Sequence, residues 1–164
     1  MDYHFFPSEL DLFELVRDDH ARQRERIAHL IMASARGAER RSLLMELITD
    51  LRAHAAAEQR TLYAMLQGQE AGQLSALCCI DEHRAVEGLL PDLLMLVEGS
   101  DEAAWRRALM HMQREVESHQ EEEEHAIFCL LGEQISPLQR SNLARDYQRE
   151  IGLQRMLMQL EVPA

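Results

Sequence analysis

The chain has 164 residues, close to the size of one ordinary domain, with 46% apolar residues and only 5% aromatic ones. Its formal net charge of −12 argues against nucleic acid or an anionic membrane as partner, because both are bound through basic patches. No apolar run approaches the roughly 18 residues of a membrane span, and the start, MDYHFFPSEL, lacks the pattern of a signal peptide. Three cysteines, Cys78, Cys79 and Cys129, do not make a disulfide framework and read as reduced thiols in a cytoplasm.

Prolines and β-branched residues are sparse, while Leu, Ala, Glu, Arg, Gln and Met dominate, so the composition predicts an all-α fold. The first helix is expected from Ser8, as N-cap, to about Ala33, with Leu12, Leu15, Val16, Ile27, Leu30 and Ile31 on one stripe. Gly37 marks a break, and a second helix follows from about Ala38 to Gln67 with Leu44, Leu47, Leu51, Leu62 and Met65 inward. Gly68 and Gly72 bracket the next turn. A third helix, about Gly72 to Val97, carries Leu77 and Ile80 inward, and Pro91 is expected to kink it or end its regular part. A fourth runs from about Asp101 to Gly132 with Trp105, Ala108, Met112, Val116, Ile127 and Leu130 inward. Ser136-Pro137 reads as a cap followed by proline at the first helical position, opening a fifth helix that ends near Leu160. Four long helices with short loops predict an up-down-up-down four-helix bundle over about 8–132. The additional C-terminal helix, about 137–160, lies against it or mediates a homodimer, and 1–164 form a single domain.

The stripes are interrupted by polar residues. His20 follows Leu12 and Val16; His54 and Glu58 lie between Leu51 and Leu62; His83 follows Ile80; His119 and Glu123 lie between Val116 and Ile127. In an up-down bundle the four histidines stand 11 to 13 residues from one common end, hence in one layer. Each H-x-x-x-E pair, His54/Glu58 and His119/Glu123, sits on one helix face one turn apart. Buried groups of this kind are costly unless they satisfy one another, and shared metal ions do that. Four imidazoles and two carboxylates suffice for two metal ions, and mixed N/O donors without thiolate suit iron or manganese, with zinc also satisfied. A metal-free polar network is the plainer alternative.

The segments RDDHARQRERIAHL, HAAAEQRTLYAML, DEHRAVEGLL and HQEEEEHAIFCLL resemble, in order, the four motifs of the hemerythrin-like, or HHE cation-binding, domain. The resemblance covers roughly 8–132. It implies a non-haem di-iron centre held by His20, His54, Glu58, His83, His119 and Glu123, with both glutamates bridging and an oxo or hydroxo group as a further bridge. It also implies a protein that binds or reacts with O₂, NO or peroxide. Oxygen-carrying hemerythrins have a second histidine where Glu87 stands here and an aspartate where Glu124 stands. In these positions the chain is closer to members linked to stress response and repair of iron–sulfur centres. An iron storage or delivery module and a metal-stapled interaction protein remain as alternatives. Glu87 and Glu124 are further candidate ligands. His4, His29, His111 and His125 read as surface or peripheral groups, Cys79 and the methionines as core, and Tyr63 as packing, with a Cys79 thiol touching the site and a Tyr63 hydrogen bond near the centre as the alternatives.

Overall fold

A computed structural model describes residues 10–33, 36–70 and 72–161, and every regular element among them is helical. The chain forms α1 (Leu12–Met32), α2 (Gly37–Arg60), α3 (Leu62–Gln67), α4 (Gln73–Leu96) and α5 (Glu102–Glu122). A π-helical turn (Glu123–Ile127), α6 (Phe128–Gly132) and α7 (Pro137–Glu161) follow. No helix among the described residues is long and apolar enough to cross a membrane.

Local chemistry explains most of the boundaries. Asp11 caps α1, its carboxylate accepting from the Phe13 and Glu14 amides at 2.8 and 3.3 Å. The expected cap, Ser8, lies outside the described residues, as does His4. Gly37 opens α2 at φ +57°, a conformation L side chains rarely adopt. Asp101 caps α5 through the Ala104 amide at 2.8 Å. Ser136 caps α7, and Gln139 reaches back to the Ser136 amide at 2.9 Å, a reciprocal capping box before the helix that Pro137 begins.

Two long rods are interrupted where the sequence reads as continuous. The Thr61 hydroxyl donates to the Ala57 carbonyl at 2.6 Å, and its backbone, at φ −118° and ψ −81°, separates α2 from α3. In the fourth rod the π turn inserts between α5 and α6. Pro91 does not end α4: the helix runs on to Leu96, and both Pro91 and Glu87, whose carbonyl the proline leaves without a helical donor, are exposed. The buried side of α4 is Ala76, Cys79, Val86, Leu90 and Leu93, so Leu77, 46% exposed, is outside rather than inward.

The apolar core has two bodies. One gathers Leu12, Val16, Ala57, Leu62, Leu66, Cys79, Ile127 and Leu131 with Ala144, Tyr147 and Ile151 of α7. The other gathers Ile27, Leu30, Leu44, Leu47, Val86, Leu90, Leu109, Met112 and Val116. Along α1 and α4 the chain passes from the first body to the second; it passes back along α2, and again from α5 through the π turn into α6. The polar positions singled out above fall where each helix changes from one body to the other. α7 packs on α1 and α2.

Candidate metal centre

Each helix brings its polar residues to the layer between the two cores by ordinary helical spacing. His20 lies one turn beyond Val16, and Gln23 and Ile27 continue the same face. His54 and Glu58 share a face of α2, His83 lies one turn beyond Cys79, and His119 and Glu123 close the set. All six are at least nine-tenths buried at the side chain, and Glu58 and Glu123 are fully buried.

Their donor atoms fall into two nests. In the first, His20, His54, Glu58 and Glu123 each offer an atom within 4.8 Å of the others; in the second, Glu58, His83 and His119 do so. Glu58 belongs to both: its Oε1 lies 3.0 Å from His54 Nε2 and 3.8 Å from His20 Nε2, and its Oε2 lies 3.2 Å from His83 Nε2. Glu123 Oε2 lies 3.2 Å from His20 Nε2. The imidazole centroids of His20 and His54 are 4.9 Å apart, and those of His83 and His119 4.4 Å.

The inward atoms are left without hydrogen bonds among the described residues. His20 Nε2, His54 Nε2, His83 Nε2, His119 Nε2, Glu58 Oε1 and Glu123 Oε2 are all buried and unpartnered. Orphaned buried polar atoms cost about 1–3 kcal/mol each, and six converge on this one layer. Their chemistry, neutral imidazole nitrogen and carboxylate oxygen, fits first-row divalent cations. A family profile decides the affiliation: the hemerythrin HHE cation-binding domain matches residues 11–131, most of the chain. The chain belongs to the hemerythrin HHE cation-binding domain family. No curated protein and no solved structure gives a significant match.

In this HHE domain an outer ring of partners fixes three of the four imidazoles. His20 Nδ1–H donates to Glu124 at 2.8 Å. His54 Nδ1–H donates to the Tyr147 hydroxyl at 2.8 Å, which donates in turn to Asp19 at 2.6 Å. His119 Nδ1–H donates to Glu82 at 2.7 Å. Holding Nδ1 this way leaves Nε2 as the free lone pair, the usual arrangement around metal-bound histidines. Among the described residues His83 has no such partner, and both its nitrogens lack a hydrogen bond. Tyr63 shares its hydroxyl proton between Glu123 Oε1 at 2.8 Å and Glu58 Oε2 at 3.2 Å.

The electrostatics derive from burial and pairing. Burial works to raise the Glu58 carboxyl, but His54, His20 and His83 overcome it and hold the group well below its ordinary range. Burial works to lower His20 and His54, yet the facing carboxylates raise both above the ordinary 6.5; in His83 burial prevails and lowers it. Burial, with Glu58 and Glu123 nearby, pushes Tyr63 and Tyr147 well above the usual phenol range, so both remain hydroxyl donors.

Several residues lie elsewhere than the spacing alone places them. Tyr63, expected to be packing, touches both carboxylates, because the break at Thr61 turns α3 relative to α2. Glu124 serves His20 as hydrogen-bond acceptor and belongs to neither nest. Glu87 turns outward to Arg52, 3.0 Å away. Cys79 lies beside the site: its sulfur, Glu82 and His119 form a third cluster, and burial, with Glu123 and Glu82 nearby, pushes its thiol well up. His29, His111 and His125 are exposed, as expected. Asp19, Tyr147, Glu82 and Gln23 have roles that the spacing argument misses. The Asp-His and Glu-His pairs at 19–20 and 82–83 were the available signal for two of them.

A cavity of about 250 Å³ opens between α2, α4 and α5, is lined by Gln23 of α1 as well, and reaches His54, His83 and His119. The second nest therefore borders this space through both of its imidazoles, and the first borders it through His54 alone.

Proposed function

We propose that the protein is a non-haem di-iron protein that binds or reacts with O₂, NO or peroxide. The observation that carries the reading is the set of six buried, unpartnered donor atoms on four helices. His20, His54, Glu58 and Glu123 would hold one ion and His83, His119 and Glu58 the other, Glu58 being the carboxylate common to both groups. Tyr63 would steady both carboxylates, donating to Glu123 Oε1 at 2.8 Å and reaching Glu58 Oε2 at 3.2 Å. Two ferrous ions held there would supply electrons and open coordination positions to a small oxidant or nitric oxide. The protein's own residues orient the imidazoles, keep bulk water out through the apolar bodies above and below, and leave access on the His83–His119 side. Glu58 stays ionised and Tyr63 stays protonated, so the layer is arranged to balance cationic charge rather than to release it. That supports a resident centre over a cargo site.

We further infer the up-down-up-down arrangement for the four long rods, supported by their alternating passage between the two core bodies. The whole of 1–164 acts as one domain in this reading, since Ala144, Tyr147 and Ile151 of α7 share the first core.

The test is metal analysis of anaerobically purified protein followed by exposure to NO or O₂. About two iron per chain and a change in visible absorption are expected; zinc alone, or an unchanged spectrum, contradicts the reading. Replacing His54 and Glu58 together by alanine should abolish iron loading.

A further inference from the structure

The cavity beside the second nest is larger than a diatomic molecule needs. At about 250 Å³ it has room for roughly eight water-sized groups. Leu51, Ala55, Val86, Leu90 and Val116 give it an apolar wall. It exists because Glu87, one turn beyond His83 on α4, points out to Arg52 and leaves the space beside the two imidazoles unfilled. The charges at its mouth are balanced: Arg52 pairs with Glu87, and Arg84 pairs with Asp81 at 2.6 Å. Its buried polar lining is different. Gln23 is 2% exposed and lines the cavity. Its oxygen accepts from Gln120 at 2.8 Å, which orients the amide, and its Nε2 is buried with no partner among the described residues. His83, whose ring nitrogens have no hydrogen bond among the described residues, lines the same cavity.

We propose that this cavity is the binding site of a small organic monocarboxylate with an apolar body of about six carbon atoms. The carboxylate lies against this polar lining, accepting from Gln23 Nε2 and completing the coordination of the cation held by His83, His119 and Glu58. The alkyl or aryl body fills the apolar part of the cavity and ends at the Arg52–Glu87 pair. A buried amide donor without an acceptor, lining the same cavity as a nest with only three protein donors, is satisfied by an anionic oxygen head. An apolar wall with balanced charge at the mouth is satisfied by a hydrocarbon body. This proposal rests on the two nests holding cations.

The experiment uses zinc-loaded full-length protein, with acetate, hexanoate, octanoate, decanoate and octanol as probes. Binding is followed by methyl NMR. Affinity is expected to rise about threefold or fourfold per methylene from acetate to octanoate, and to gain nothing further with decanoate. Shifts should concentrate on the methyl groups of Val86, Leu90 and Val116. Octanol should bind at least tenfold more weakly than octanoate. Gln23→Met should weaken acetate and octanoate alike by about tenfold. Ala55→Leu, on a half-exposed wall, should remove most of the chain-length dependence. Equal affinities for acetate and octanoate, or shifts away from those methyl groups, overturn the proposal. Octanoate binding equally well to metal-free protein also overturns it, because the head is then not at the nest. Protein that takes up no zinc overturns this proposal through the metal reading, whereas zinc-loaded protein indifferent to chain length overturns this proposal alone.

Discussion

Individual side chains in the layer between the two cores carry opposing demands. Burial acts against charge on every group there, and the groups answer by pairing. His20 and His54 have raised pKa values because Glu58 and Glu123 face them. In the metal-free protein their contribution to stability is therefore full below the ordinary value of 6.5 and is lost as pH rises through their folded values. Glu58, held low, contributes above its ordinary 4.5 and loses that contribution as pH falls through its folded value. A cation takes the place of the imidazole protons. Metal uptake should thus release protons, and the rise in Tm on loading should be larger near about pH 8 than near about pH 6. Calorimetry in two buffers of different ionisation enthalpy measures the release; a buffer-independent enthalpy contradicts it. Tyr63 is the other residue of consequence, because one hydroxyl steadies both carboxylates. Tyr63→Phe removes those bonds with little change of volume. Metal affinity should fall by about 10- to 100-fold, measured by chelator competition, and an unchanged affinity would reduce Tyr63 to packing.

Among the elements, the two interrupted rods and α7 matter most. The break at Thr61 places the Tyr63 hydroxyl over the carboxylates. An uninterrupted helix would carry position 63, five residues after Glu58, off the Glu58 face. The π turn begins at Glu123 and adds a residue to the turn before Ile127, so the helix delivers Glu123 to the site and still returns Ile127, Phe128 and Leu131 to the core. α7 lies beyond the segment matched by the family, yet it supplies Tyr147 to His54 and, through Arg155, a 2.9 Å bond to the buried Asp50 of α2. Tyr147→Phe leaves the ring in place but deprives His54 Nδ1 and Asp19 of their shared partner. A loss of metal affinity of about tenfold is expected, with the far-UV circular dichroism unchanged. Identical affinities in the two proteins would show that α7 only covers the bundle.

For the whole molecule, the centre is a seam between two apolar bodies. Without a cation, six unpartnered polar atoms separate them. A cation that binds only the folded state adds stability by mass action, about 4 kcal/mol at a free concentration a thousand times its Kd. Chelation should lower Tm by well over about 5 °C, read by calorimetry on matched samples. Equal melting temperatures would mean that the polar layer is satisfied by the protein and water alone.

The helical fold was legible because good helix formers and apolar residues at a 3.6-residue period leave little else to build. The convergence of His20, His54, Glu58, His83, His119 and Glu123 was legible for a related reason: burying their stripes forces polar residues at those positions into the interior. Helix spacing defines which residues share a face, and that is local. Spacing cannot encode where a rod breaks, how far a π turn rotates the residues beyond it, or which side chain of a distant helix docks over a given imidazole. The tertiary structure therefore decided that Tyr63 takes an oxygen of Glu123, that Tyr147 and Glu124 hold His54 and His20, and that Glu87 turns outward to leave a cavity. Each is a contact between groups whose phase and distance depend on packing, and packing is fixed only when all the helices are in place.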